Sequence, residues 1–406
     1  MKILFFTDNF FPETNAPAKR TYEHCLEWSK NNDVTVITCV PNFPKGKVFD
    51  GYKNKIYQSS FEGKILIKRV WSFITPNEGF FLRVLDYCSF MISSLLCGLF
   101  SKKPDVLIAT SPQFFTLISA YLTSLIKNIP LVIEIRDMWP QSIVTVGAMK
   151  KDSFIIKILE YLAKFLYKKA TLIVCVTNSF KNDMVKMGIN SNKIEVITNG
   201  FNLNNIISPS DNIIDVEKKY GLDKNKKYIS FIGTVGMAHG LEIILETAQK
   251  IDNQSVNFLI IGDGAKKQYL IKQCTNLGIN NIHFIDNLSW KEIVNINQLI
   301  SAHIVHLKKD KEFTKVIPSK IFESMALRKP IFMGVEGEAR ELLNIANCSF
   351  NFPPEDSDKL KHLIDKNIGD THYLNELGMN GYNFLINNYS RKILSKKMIE
   401  FIKTKI

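Results

Sequence analysis

The first half of the chain alternates short, unbroken apolar runs with segments whose apolar residues recur every three or four positions. The runs fall at 2–7, 34–40, 105–110, 131–135, 171–176 and 193–197. They are continuous rather than alternating, as expected of parallel strands covered on both faces. Helical periodicity fills the gaps near 17–30, 79–100, 113–126, 153–168 and 179–188. That succession predicts a doubly wound α/β sheet. Residues 41–73, rich in Pro, Gly, Lys and Phe, interrupt it and read as a mobile loop with a hairpin around 64–70.

The pattern stops in the polar tract 202–227, a linker candidate, and then restarts. Strands are expected at 228–232, 256–261, 282–285, 303–307 and 331–333, and helices at 241–250, 266–277, 290–300, 318–328 and 391–403. The chain therefore divides into two Rossmann-like domains, 1–201 and 202–389, with a closing helix at 390–406. In such open sheets ligands bind at the carboxyl ends of the strands.

Composition narrows the partners. The net charge of +13 favours anionic ligands or an anionic membrane surface. Nucleic acid is set aside, because no recognition-helix, zinc-finger or ribonucleoprotein pattern is present. Seven cysteines, without a Cys-x-x-Cys pair, read as reduced thiols of a cytosolic protein. The opening residues are too short for a signal peptide, and no uncharged apolar run reaches the roughly 20 residues that span a bilayer. The run 87–100, after Arg83 and Asp86, reads as a buried or interfacial helix. Residues 150–169 carry six lysines and an apolar stripe at 155, 158, 159, 162, 165 and 166. That helix suits either an anionic lipid surface or, with the stripe inward, a packed core.

The densest chemistry lies at 315–334. Pro318 suits a first helical turn, and Ser319 and Lys320 then stand beside free backbone N–H groups that favour an anion. Glu323 falls on the same face as Ser319, so phosphates at the helix start and ribose hydroxyls at Glu323 would suit a nucleotide. Four further loops each follow a predicted strand. The loop 7–20 offers Glu13, Asn15, Ala16 and Arg20, with Asn15 a cap for the helix entered at Pro17. At 133–140, Arg136 and Asp137 sit at a strand end beside Trp139. The loop 231–242 contributes Gly233, Thr234, Gly236 and His239, and the turn 260–265 contributes Gly262 and Gly264. Each turn alone has a purely structural explanation, because tight turns need glycine.

Together these blocks resemble glycosyltransferase family 4, the retaining sugar-nucleotide transferases with the GT-B fold. The matching stretches are Phe-Pro-Glu-x-x-Ala-Pro-Ala-x-Arg (11–20), Arg-Asp-x-Trp-Pro (136–140), Thr-Asn-Gly (198–200), Gly-Thr-x-Gly-Met-Ala-His-Gly-Leu (233–241), Gly-Asp-Gly (262–264) and Pro-Ser-Lys-x-Phe-Glu (318–323). The chain is most similar to the bacterial surface-polysaccharide branch, which includes L-fucosamine-type transferases of O-antigen and capsule assembly. The resemblance implies two domains facing across a cleft. The second would hold a nucleotide sugar, UDP-linked, through Glu323, Ser319, Lys320 and the loop after Gly233, with Gly262, Gly264 and the loop 286–288 around the base. The first would present Glu13, Asn15, Ala16, Arg20, Arg136 and Asp137 to donor sugar and acceptor. Asp137, Lys320 and His239 are the catalytic candidates. Neither metal nor cofactor is expected, and the acceptor would be a lipid diphosphate-linked sugar at the cytoplasmic face of the membrane.

Two departures stand out. The family's first glutamate would fall on Lys315, with Glu312 at the wrong spacing. The Arg and Lys that commonly serve the diphosphate are replaced near Thr234 and His239, so Lys320, Lys315 and Arg20 are candidates for the missing charge. A sugar-nucleotide epimerase of the same fold and a non-catalytic nucleotide-sugar-binding protein are the alternatives.

Overall fold

A computed structural model describes the chain except residues 44, 76–79, 112, 142, 143, 145–148, 151, 253 and 254, and except the side chains of 80 and 81. Met1–Thr198 with Arg391–Ile406 form one compact unit, and Asn199–Ser390 form another.

The first unit carries β1 (Lys2–Phe6), α1 (Ala16–Trp28), β2 (Asp33–Thr38), β3 (Tyr57–Glu62), β4 (Ile65–Val70), α2 (Phe80–Phe100), β5 (Val106–Thr110), α3 (Phe115–Lys127), β6 (Leu131–Ile135), α4 (Phe154–Lys169), β7 (Leu172–Cys175), α5 (Asn178–Lys186) and β8 (Ile194–Val196). Its eight-stranded sheet runs β3-β4-β2-β1-β5-β6-β7-β8. Among the described residues of this sheet, only the β3–β4 pair is antiparallel. The hairpin expected around 64–70 is present, and its inner strand extends the sheet beside β2. Its outer strand β3, polar and open to solvent at the sheet edge, lies ahead of the expected range.

Successive β1 residues point to opposite faces. Ile3 and Phe5 pack with Trp28 of α1 and with Leu394, Met398 and Ile402 of the C-terminal helix. Phe6 points the other way, against Gly98 of α2 and Thr123 of α3. Right-handed crossovers, running outward from β4 through β5 and β6 to β7, place α2, α3 and α4 together on that second face.

The second unit contains α6 (Ile213–Tyr220), β9 (Lys227–Ile232), α7 (Glu242–Lys250), β10 (Val256–Ile261), α8 (Lys267–Asn276), β11 (Ile282–Ile285), α9 (Trp290–Ile296), β12 (Ile300–His306), α10 (Lys320–Ala326), β13 (Ile331–Gly334), α11 (Glu338–Ala346), β14 (Ser349–Asn351), α12 (Ser357–Asn367) and α13 (Thr371–Asn388). The sheet order is β11-β10-β9-β12-β13-β14, and these strands pair in parallel. The strand β14 is short and escaped the apolar pattern, and the expected linker contains α6, capped by Asn212.

The C-terminal helix, α14 (Arg391–Lys405), belongs to the first unit and packs on α1. Arg391 donates to Glu23 at 2.8 Å, Ser395 and His24 share a buried 2.7 Å hydrogen bond, and Trp28 Nε1 donates to the Ser395 carbonyl. Buried polar groups need such partners, so these bonds fix the register of a helix whose apolar face is narrow.

Candidate active site

In the second unit, strand order reverses between β9 and β12, so the loops after them define the crevice. After β9 the chain turns at Gly233, where φ is +128° and a Cβ would strike the Lys320 ammonium. Glycine is required twice over, by backbone conformation and by the approaching side chain. The loop ends at Gly240, also left-handed, and is clipped to the β12 end by Lys308 N–H donating to the Ala238 carbonyl at 2.9 Å. His306 Nδ1 donates to the His239 carbonyl at 2.6 Å, and His239 Nδ1 lies 3.3 Å from the His306 carbonyl.

Gly262 and Gly264, expected beside the base, press against this same loop. A Cβ on Gly262 would meet the Gly233 carbonyl and one on Gly264 the Val235 carbonyl. Their need for glycine is therefore accounted for by loop-on-loop packing. The neighbouring loop is tied down by Lys267, which pairs with Asp286 at 2.5 Å.

Helix α10 starts at Lys320 with Ser319 as N-cap, shorter at both ends than the expected 318–328. Ile321 N–H bonds to the Pro318 carbonyl and Phe322 N–H to Ser319, in a tightened first turn. Those two donors are spent within the turn, which leaves the N–H groups of Ser319 and Lys320 for an anion. The Lys320 side chain brings a cation to the same place, its Nζ 4.9 Å from the Phe231 ring centroid. Burial lowers the Lys320 ammonium from its ordinary value, and Glu323 one turn on partly opposes this. Burial, reinforced by Lys320, lowers His239 to about 4, so its imidazole is neutral at pH 7. Lys320 and Glu323 also line a small cavity with Trp290 and His303. His303 Nδ1 bonds Ser230 at 2.7 Å while its Nε2 is buried without a partner among the described residues. Thr234 is exposed at the loop tip. Lys315 pairs with Glu312 at 2.9 Å, so these two side chains answer each other.

In the first unit the reversal lies between β1 and β5. Asp8, just beyond β1, went unremarked in the sequence, although an acid directly after a buried strand was the available signal. Burial pushes its carboxyl up to about 7, with Asp86 and Glu13 adding to the rise and Cys39 and Asn9 opposing it. Glu13 is buried, and its Oε1 accepts from the backbone N–H groups of Asn42 and Phe43 at 2.8 and 2.9 Å. Its Oε2 is buried with no partner among the described residues, as are Nε and Nη1 of Arg69, whose Nη2 donates to the Phe11 carbonyl. Burial raises Glu13 and Asp86 as well, against the two N–H groups and Arg69 at Glu13 and against Ser72 at Asp86. Asn15 caps α1 by accepting from Ala18 N–H at 2.8 Å, with Ala16 exposed beside it.

Arg20 was expected to reach a sugar or phosphate, and the structure revises this. Its guanidinium is 1% exposed, bonded to Glu134 at 2.9 Å and to the carbonyls of Ile197 and Thr198. Thr110 completes the Glu134 carboxylate at 2.7 Å. Burial pushes Glu134 up, but Arg20, Arg136 and Thr110 outweigh it and hold the carboxyl below its ordinary value. Arg136 is drawn towards the same carboxylate, and burial lowers it to about 10. Asp137 stands next to it, raised by burial and opposed by Arg136. The structure thus groups Asp8 with Glu13 and Asp86, and Arg20 with Glu134 and Arg136. Among the described residues, no group of three His, Cys, Asp or Glu is gathered as a metal site.

Comparison with known proteins agrees with this layout. Residues 18–205 match the model of Glycosyltransferase Family 4, and residues 212–384 match that of Glycosyl transferases group 1. WcaI of Escherichia coli (strain K12), named as a colanic acid biosynthesis glycosyl transferase, is 24% identical over 334 residues, 80% of this chain and 81% of its own. WbjE of Pseudomonas aeruginosa, named as a glycosyltransferase, is 27% identical over 310 residues, 73% and 74% of the two chains. Among solved structures, Anabaena Alr3699/HepE in complex with UDP-glucose superposes with a TM-score of 0.72 at 17% identity, covering 100% of both chains. WaaG, a glycosyltransferase involved in lipopolysaccharide biosynthesis, gives 0.67 at 11% identity, covering 98% of this chain and 99% of its own.

Proposed function

This chain belongs to glycosyltransferase family 4 and has the GT-B fold, and from that premise we propose that it is a retaining transferase using a UDP-linked sugar. The sugar is a hexose or an N-acetylated amino sugar, and the acceptor is a lipid diphosphate-linked saccharide at the inner face of the cell membrane. The product feeds surface-polysaccharide assembly, the process named for WcaI.

One observation carries the reading. At the crevice of the second unit, bases are held below their ordinary values, Lys320 and His239, so a bound anion relieves them. At the crevice of the first, acids are held above theirs, Asp8, Glu13, Asp86 and Asp137, so hydrogen-bond donors relieve them. A diphosphate meets the first demand and sugar hydroxyls the second.

In the proposed step, the bond between the anomeric carbon and the diphosphate oxygen breaks, leaving its electron pair on the diphosphate. The acceptor oxygen bonds to the same face of that carbon and passes its proton to a phosphate oxygen. Lys320 is positioned to hold the charge growing on the leaving group, where a fixed donor in a dry site lowers the barrier. Glu323 takes the ribose hydroxyls. Glu13 and Asp8 orient the acceptor hydroxyl, with Asp137 a further orienting carboxyl. No step calls for a metal.

The test is a panel of sugar nucleotides, fucosamine-type donors included, scored by thermal stabilisation and then by transfer to a lipid-linked acceptor. Stabilisation by UDP-sugars that is lost in Glu323→Ala, with a new glycosidic product of retained configuration, is expected. Sugar isomerisation without any acceptor, or stabilisation indifferent to Glu323, overturns it.

A further inference from the structure

Helix α2 is apolar almost all round. Its inward side chains, Phe90 and Ser94, are buried, and Gly98 lets the helix close on Phe6 and Thr123. Its outward face carries Leu82, Leu85, Ile92, Leu96 and Phe100, each more than two-fifths exposed, Phe100 at 88%. Among the described residues, Leu82–Phe100 is the one helical stretch long and apolar enough to cross a membrane, which the absence of a long uncharged run had argued against. It packs along α3 within the layer covering the sheet, so it lies in that layer rather than standing out of it.

The rest of the layer continues the pattern. Leu125 and Ile126 of α3 are exposed. Tyr121 of α3 meets Phe165 of α4 edge to face at 5.5 Å, so these two helices are neighbours. On α4 the inward residues are Ile156, Ala163, Leu166 and Tyr167, while Phe154, Ile155, Ile158 and Tyr161 are exposed. Part of the stripe that could have been core, at 155 and 158, thus faces out. Beside it stand exposed Lys157, Lys164, Lys168 and Lys169, with Lys102 and Lys103 just past α2.

Exposed large apolar side chains thus recur on three neighbouring helices of one layer, and surfaces of that kind mark interaction sites. We infer that the outer face of α2, α3 and α4 docks on an anionic lipid bilayer, with the apolar side chains in the interfacial layer and the lysines on headgroup phosphates. The lysines single out this occupant over a second copy of the chain, because identical basic helices repel each other whereas an anionic leaflet attracts them. An interfacial seat needs a large apolar face lying in the membrane plane together with flanking cations, and the layer supplies both. The inference deepens the reading of a lipid-borne acceptor and rests on that reading for its purpose.

The experiment is flotation of the full chain with vesicles of phosphatidylcholine containing phosphatidylglycerol, and with phosphatidylcholine alone. UDP-induced thermal stabilisation serves as an independent check on fold and donor site. Wild type is expected to float with the anionic vesicles. Ile92→Ser with Leu96→Ser should weaken binding at least about tenfold while retaining the UDP effect. Lys164→Glu with Lys168→Glu should weaken it by about tenfold or more and abolish the preference for anionic lipid. Failure of wild type to float, flotation unaltered by the serine pair, or a soluble dimer in light scattering that the serine pair dissociates, overturns the inference. Vesicle binding without any UDP effect would instead sink the donor assignment.

Discussion

Arg20 in the first unit and Lys320 in the second both fall in the blocks that resemble the family, yet their environments differ. Arg20 is buried and spent on Glu134 and on two backbone carbonyls. Lys320 lies against a glycine turn and a phenyl face, with Glu323 acting through its field. A cation already paired at short range stabilises the fold, and one whose main perturbation is desolvation is poised for a ligand.

The sharpest way to break that contrast is Arg20→Ala. It strands Glu134 as a buried charge and should cost about 3–5 kcal/mol of unfolding free energy. Denaturant titration measures it, and a loss under 1 kcal/mol would return Arg20 to the list of ligand contacts. Lys320→Ala should lower kcat by about 10²–10³-fold with little change in the first unit's stability. A loss of donor affinity with kcat unchanged would make it a binding group only. Glu323→Ala removes a charge-assisted hydrogen bond worth about 1.5–3 kcal/mol, so donor affinity should fall roughly 10- to 100-fold in calorimetry.

Two smaller effects appear as pH dependence. His239 uses its Nδ1–H on the His306 carbonyl, so its neutral Nε2 offers a lone pair to an approaching phosphate. The histidine must gain a proton to donate there, and a bound diphosphate raises its pKa from about 4. UDP binding should therefore tighten as pH falls from 7 towards 4, with proton uptake in calorimetry; His239→Gln should flatten that slope. In the free protein the sign is opposite: the folded pKa lies below the unfolded 6.5, so stability is lost as pH falls from 6.5 towards 4. Asp8 behaves as the mirror case. Its folded pKa of about 7 exceeds 3.8, so stability is lost as pH rises through that window. Asp8→Asn should raise Tm by a few degrees at pH 8 and leave it nearly unchanged at pH 4.

The amino-acid sequence by itself determined the order of strands and helices, the restart after the first sheet, and the stretch holding Lys320 and Glu323. Those features are local: unbroken apolar runs, helical spacing, and glycines where a loop must turn. Tertiary structure alone decided which polar residues met. Arg20 and Glu134 are 114 positions apart and pair only because α1 packs beside β6. Asp8 gains its raised pKa from burial that no window of sequence displays, and from Asp86, carried near it by α2. The edge strand β3 escaped notice for the same reason, and the run in α2 stayed open between a buried and an interfacial helix. An apolar residue carries no mark of whether another element will cover it, and only the packed layers supply that answer.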